Sequence, residues 1–307
     1  MFKEVIVELS HNCNLNCIMC GFGKGVNHFN KDKYLSFDSY KSILQQIGGK
    51  TEAIRLNGRG ESTIHPEFVK MLKYTKFQFP QIGINLFSNF SFNSSAIINA
   101  LISNEVQLFI SLDSPIEEEL AEIRRGVKFS YVNKNIRMLK ELPNRPFIVF
   151  TTQELNIHRI SDIAGYAHAN DCHIIFNTVR RDSGIETFVN AVRKNRDSII
   201  EQFNSVNALY HNSQLKCLCP NQLAGIELAV AGLTVTHGMM TKCSALEDEL
   251  CILVDGTVTP CNMFNPYEYG NIHTQSLDEI WHGRKRSEFL ISHKNHYYCK
   301  NCANMGV

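Results

Sequence analysis

Three cysteines stand close together near the start of the chain, Cys13, Cys17 and Cys20, in a C-x3-C-x2-C spacing on a loop that follows the apolar run 5–9. Thiolates are the soft ligands of iron-sulfur clusters, and three of them can hold three corners of a cubane while one iron stays open for chemistry. Zinc is the alternative; it needs a fourth ligand, which His11 or His28 could supply. A second group lies near the other end. Cys243 is followed after twelve residues by Gly256 and after four more by Cys261, and Cys299-Lys300-Asn301-Cys302 closes the set. Four thiolates in two pairs make a complete site for zinc or for a 4Fe-4S cluster, and spacing alone does not separate the two. Of the 11 cysteines, Cys172 reads as a core residue, and Cys217 and Cys219 as either spare ligands or ordinary thiols. Cys251 falls on the apolar run 249–254, beside the second group, where it reads as a buried strand thiol or as one facing a cavity.

So many clustered cysteines without a secretory leader point to a reducing compartment and to metal ligation rather than disulfides. The first residues lack the apolar core of a signal peptide, and no apolar run approaches the ~18 residues of a membrane span. A cytoplasmic protein with no membrane partner is expected. The 31 Lys and Arg nearly cancel the 30 Asp and Glu, leaving a net charge of +1. That excludes the bulk basic field that nucleic-acid binding uses and favours a small molecule or a peptide as partner.

Elements must place these ligands. Between residues 5 and 177, β-branched runs at 5–9, 53–57, 82–87, 107–112, 147–152 and 173–177 alternate with amphipathic stretches. Phe37, Tyr40, Ile43, Leu44 and Ile47 form a helical stripe, entered through Ser36 and closed by Gly48 and Gly49. Pro66 marks a second helix start, and 93–102, 132–142 and 156–169 read as later helices. Six strands joined by helices predict an α/β fold that curls into a partial (β/α)6 TIM-type barrel, with chemistry at the C-terminal strand ends. After about residue 205 the rhythm changes to short Gly-punctuated segments, predicting a small β-rich C-terminal module. The expected division is 1–212 and 213–307.

The first cysteine triplet, with Met19 before its last member, resembles the hallmark of the radical S-adenosylmethionine (SAM) superfamily. Further segments recur at the expected strand ends. Asn57-Gly58-Arg59-Gly60-Glu61-Ser62 resembles the family's GGE-type segment, with Arg59 in place of a glycine; Ser88-Asn89 stands for its TNG-like turn; Ser111-Leu112-Asp113 matches its SLD segment, and Ile123-Arg124-Arg125-Gly126 its IRG segment. The resemblance implies that Cys13, Cys17 and Cys20 hold a 4Fe-4S cluster that cleaves SAM to a 5′-deoxyadenosyl radical. It also implies a SAM site formed by Met19, Gly60, Glu61, Ser88, Asn89, Ser111, Asp113 and Arg124, with Glu61 on the SAM ammonium and Arg124 on its carboxylate. Gly21-Phe22-Gly23-Lys24-Gly25 lacks the full phosphate-loop pattern.

The C-x12-G-x4-C spacing, then Leu277-Asp278-Glu279-Ile280-Trp281, then C-x2-C, is similar to the SPASM and twitch modules of that superfamily. It implies a second 4Fe-4S cluster on Cys243, Cys261, Cys299 and Cys302 in the shorter, twitch form. Enzymes of this subgroup include aminocyclitol dehydrogenases and aminoglycoside or peptide epimerases. The resemblance therefore implies hydrogen abstraction from a sugar or aminocyclitol, ending in dehydrogenation or in epimerisation with Cys251 as hydrogen donor. Peptide epimerisation or thioether formation is the alternative. With Cys13 so near the start, no N-terminal peptide-recognition domain is expected. A flavodoxin- or ferredoxin-type protein is the implied electron donor.

Overall fold

The computed structural model describes residues 2–22, 33–179, 185–218, 243–261, 267–296 and Cys299. His28, the Gly23 to Gly25 segment, Cys219 and Cys302 lie outside the described residues. The expected strands are present as β1 (Phe2–Val7), β3 (Thr51–Leu56), β4 (Gly83–Ser88), β5 (Gln107–Ser111), β7 (Phe147–Thr152) and β8 (His173–Thr178). They pair in that order, every neighbour parallel. The strands are joined by helices because each run of β-branched residues buries one face against an amphipathic partner: α1 (Phe37–Ile47), α2 (Phe68–Gln78), α3 (Ser95–Ser103), α4 (Glu117–Ile123), α5 (Phe129–Arg137) and α6 (Ile160–Ala169). Then come α7 (Ile185–Lys194) and α8 (Arg196–Tyr210). The result is a mixed α/β fold with a mostly parallel sheet, as expected of a partial barrel.

Local chemistry sets the boundaries. Ser36 caps α1 by accepting from the Ser39 N–H at 3.1 Å, and Gly48 ends it. The helix expected from Pro66 begins at Phe68 instead, because Glu61 caps a short 3-10 turn, Ser62–Ile64, that comes first. The stretch expected to start at residue 132 already turns at Phe129.

Period-two alternation divides the strands between two faces. Val5, Val7, Ile54, Leu86, Ile110 and Phe150 face the helices and form the core. The other face carries Glu4 and Ile6 of β1, Arg55 of β3 and a ladder of stacked rings, Phe87 on Phe109 at 4.3 Å and Phe109 on Phe147 at 5.2 Å.

The C-terminal strands do not form a separate sheet. β10 (Glu249–Ile252) pairs parallel with β1, and β11 (Thr257–Thr259) and β12 (Gly270–Asn271) continue antiparallel from it. At the other edge, β9 (Cys217–Leu218) pairs with β8, so ten strands make one sheet among the described residues. A second, two-stranded pairing joins β2 (Asn16–Cys17) to β6 (Arg124–Arg125). No helix among the described residues is long and apolar enough to cross a membrane.

Candidate active site

Beyond the C-terminal end of β1 the chain runs Glu8, Leu9, Ser10 and then the cysteine loop. β2 sets Cys17 directly opposite Arg124, and the Ile18 N–H donates to the Ile123 carbonyl at 3.0 Å, so the triplet is tied to the IRG segment by backbone bonds. Cys13 Sγ accepts from the Leu15 N–H at 3.4 Å and lies 4.0 Å from Asn89 Nδ2. Arg124 Nη1 stands 4.0 Å from Cys17 Sγ. Burial pushes the Cys13 thiol up to about 12, with further push from the charges of Glu61, Cys17 and Cys20. Burial pushes the Cys17 thiol up as well, so bare thiolates are disfavoured at both Cys13 and Cys17. The cationic iron-sulfide core of a cluster would offset that cost, so in donor chemistry these residues fit one.

Glu61 lies behind Cys13. Its Oε1 accepts from the Thr63 N–H (3.1 Å), the Thr63 hydroxyl (2.7 Å) and the Ser88 hydroxyl (2.8 Å), and its Oε2 from the Asn89 N–H at 2.8 Å. Phe90 takes a left-handed conformation, φ 56°, which turns the chain just after that N–H. The Asn89 side chain donates to Asn14 Oδ1 and accepts from the Ser91 N–H, pinning the cysteine loop. Gly60 is required by close approach: a Cβ there would lie 2.2 Å from the Asn12 carbonyl oxygen and 2.5 Å from that of Ser10.

Asp113 is fully buried. Its Oδ2 forms an ion pair with Arg124 Nε at 2.6 Å, and its Oδ1 accepts from the Thr151 N–H at 2.8 Å. Asp113 is thus paired with Arg124, while Ser111 sits at the end of β5 on the face opposite the helices. Met19 lines a cavity of about 260 Å³ with Ile18, Gln153, Glu154, Leu155, Val179 and Thr187. Gln153 Nε2 is buried with no hydrogen-bond partner among the described residues.

Arg59 binds Glu8 through two edges, Nε to Oε1 at 2.9 Å and Nη2 to Oε2 at 2.6 Å, and the Val254 N–H reaches the same carboxylate at 3.2 Å. Burial alone would raise the Glu8 pKa; hydrogen bonds from Arg59 and His11 and the Arg59 charge hold it down to about 2. Cys251 faces the same side of the sheet, opposite Ile6 and Thr259, and is only 1% exposed. Burial pushes its thiol up to about 12.

At the C-terminal site, Cys243, Cys261 and Cys299 are half-buried, and Cys243 and Cys299 pack against the core. Tyr269 lies close enough to Cys261 and Cys299 for their charges to act on its phenol. It is 4% exposed and its hydroxyl has no hydrogen-bond partner among the described residues. An O–H beside these thiols is what a sulfur acceptor would complete, so the described part of this site fits a cluster.

Sequence reading missed Glu8, Gln153 and Tyr269. For Glu8 a signal existed, since a carboxylate interrupts the otherwise apolar run 5–9. Gln153 and Tyr269 carry no such mark.

The Radical SAM superfamily model matches residues 7–163, and the SPASM model, an iron-sulfur cluster-binding domain, matches residues 243–303. These domains imply 4Fe-4S clusters. The chain is 25% identical over 98% of its length, and 87% of the relative's, to the tungsten-containing aldehyde ferredoxin oxidoreductase cofactor-modifying protein of Pyrococcus furiosus. Its fold resembles that of anSMEcpe solved with AdoMet and the Cp18Cys peptide, with a TM-score of 0.67, 18% identity, and coverage of 97% of this chain and 85% of that one. BtrN in complex with AdoMet and 2-DOIA gives a TM-score of 0.55, 16% identity, and coverage of 100% and 95%. Since the first family model spans just over half of the chain, the protein belongs to the radical SAM superfamily and is a radical SAM enzyme with a SPASM domain.

Proposed function

We propose that the enzyme abstracts a hydrogen atom from a polar small molecule of the sugar or aminocyclitol kind and completes a two-electron oxidation. When bound, SAM and the first cluster supply the 5′-deoxyadenosyl radical, chemistry beyond side chains alone. In this reading Cys13, Cys17 and Cys20 hold that cluster. Glu61 and Arg124 orient SAM, Met19 and Gln153 line its site, and Ser88 and Asn89 keep Glu61 and the cysteine loop in place. Ser111 contributes a hydroxyl to the substrate side. Cys243, Cys261, Cys299 and Cys302 would hold the auxiliary cluster, which would supply an acceptor for the second electron, the second proton passing to solvent. Residues 1–212 make the SAM-cleaving part and 213–307 the auxiliary part; the two family matches fall on either side of that boundary. A cytoplasmic flavodoxin- or ferredoxin-type protein is the proposed electron donor.

The observation that favours oxidation over inversion is the burial of Cys251, only 1% exposed and near the charges of Glu8 and Arg59. A hydrogen donor must touch the substrate radical, and a thiol sealed in the sheet does not. A relative named for modifying a cofactor supports a small-molecule substrate. The peptide reading is retained as the second one, because the fold is more like that of anSMEcpe with its peptide than that of BtrN.

Anaerobic reconstitution should give about eight irons per chain, and replacing Cys13, Cys17 and Cys20 together with Ala should remove about half of them and abolish SAM cleavage. Survival of cleavage in that variant overturns the central assignment. With substrate in deuterated water, an oxidised product without solvent deuterium is expected, and Cys251→Ala should turn over nearly normally. A deuterated, inverted product that Cys251→Ala cannot make would return Cys251 to the catalytic role. A response to peptides alone would establish the second reading.

A further inference from the structure

We propose that the Arg124–Asp113 ion pair sets the reduction potential of the SAM-cleaving cluster through Cys17. This rests on the reading that Cys13, Cys17 and Cys20 hold that cluster. Three observations meet here. Arg124 is buried, its Nη1 lies 4.0 Å from Cys17 Sγ, and β6 holds it directly opposite Cys17 in a backbone pairing. Asp113 is fully buried with one oxygen 2.6 Å from Arg124 Nε. Asp113 is in turn fixed by the Thr151 N–H on Oδ1 and by Asn156, whose Nδ2 donates to the Asp113 carbonyl at 3.0 Å and to the Thr151 carbonyl at 3.0 Å. The pair is therefore oriented, cation toward the sulfur and anion away from it, by strands β5, β6 and β7.

The physical consequence follows from charge. Reduction adds one electron from an external donor to a cluster that three thiolates already make anionic, and no bond is made or broken. A guanidinium at the ligand sulfur favours the reduced form and raises the potential, both by its charge and by an N–H directed at the sulfur. Asp113 opposes this from farther away and limits the effect. In a site from which water is excluded, each contribution is larger than it would be at a surface. Arg124 is thus a positioning residue for Cys17 as well as the SAM ligand of the proposed reading, and Asp113 acts both by fixing Arg124 and by its own opposing charge on Cys17.

The two charges predict opposite shifts. The experiment is a redox titration monitored by electron paramagnetic resonance on the full-length reconstituted protein without SAM. It follows the signal that disappears in the Cys13, Cys17, Cys20 triple alanine variant. Arg124→Gln should move the midpoint to more negative potential, Asp113→Asn should move it to more positive potential, and Arg124→Lys should fall between Arg124→Gln and wild type. All three should keep the wild-type iron and sulfide content. Shifts of the same sign in Arg124→Gln and Asp113→Asn, or no shift in either at full iron content, would overturn the proposal. If Arg124→Gln does not assemble the cluster, the sign of the Asp113→Asn shift decides alone. Absence of the signal in wild type would instead overturn the cluster assignment on which the proposal rests.

Discussion

Glu61 carries the sharpest expectation among single residues. Each oxygen of a carboxylate offers about two acceptor positions; in this protein Oε1 is fully used by three donors, while Oε2 takes only the Asn89 N–H. The remaining capacity of Oε2 is what a ligand ammonium would use. Glu61→Gln should keep both clusters yet bind SAM more weakly by about 1.5 to 3 kcal/mol, the usual worth of a charge-assisted hydrogen bond. Equilibrium titration with SAM measures this, and unchanged affinity would remove Glu61 from the site. Tyr269 is the counterpart at the auxiliary site. Its orphaned hydroxyl beside Cys261 and Cys299 should donate to a cluster sulfur, so Tyr269→Phe should leave the iron content unchanged and shift the auxiliary cluster to more negative potential. An unmoved midpoint would make the tyrosine a packing residue only.

At the scale of elements, the end of β1, the loop between β3 and α2, and the turn between β10 and β11 meet on one carboxylate. Arg59, which replaces a glycine of the family segment, binds Glu8 through two edges, and the Val254 N–H closes the contact from the C-terminal side. The folded pKa of Glu8, about 2, lies below its ordinary value of 4.5. The pair therefore contributes stability that is fully present above about 4.5 and is lost as pH falls toward 2. Arg59→Met leaves the buried carboxylate unpaired and should cost about 3 to 5 kcal/mol at neutral pH. Because Glu8 would then be relieved by taking up a proton, the variant should gain stability as pH drops from about 8 to about 6, where wild type does not. Denaturant unfolding under anaerobic conditions at the two pH values tests the sign. Equal pH responses would show that Arg59 does not hold Glu8 ionised.

For the whole molecule, the notable feature is that the auxiliary segment adds to the main sheet. β10 lies between β1 and β11, with Cys243 just before it and Cys261 just after the hairpin. Closing a metal site across that hairpin should add folding energy to the strands it brackets. Cys261→Ala should lower iron by about half, and strong chemical reductants should still drive SAM cleavage while substrate turnover fails. The same variant should loosen β10 and expose Cys251, which is sealed at 1% in the intact sheet. Labelling with a thiol reagent, followed by peptide mapping, reads this directly. Full protection of Cys251 in the variant would show that the sheet holds without the auxiliary cluster.

The amino-acid sequence by itself determined the alternation of strands and helices, because β-branched runs and helical stripes are local patterns. It also determined the cysteine groups and the GGE-like, SLD and IRG segments, because a loop after a strand end needs those residue types close together in the chain. Ser36 as the cap of α1 was legible for the same reason, being a bond between residues three apart. The contacts that join distant segments were not legible. Nothing near Glu8 in the chain announces Arg59, whose guanidinium reaches it across 51 positions, or Val254, across 246. The SLD segment marks Asp113 for the SAM site, but its ion pair with Arg124 depends on β6 being folded against the cysteine loop. The parallel docking of β10 on β1 was equally hidden, since either edge of a sheet offers the same unpaired backbone groups. That choice, and with it the burial of Cys251, was made by the tertiary structure, where side chains remote in sequence compete for one buried face.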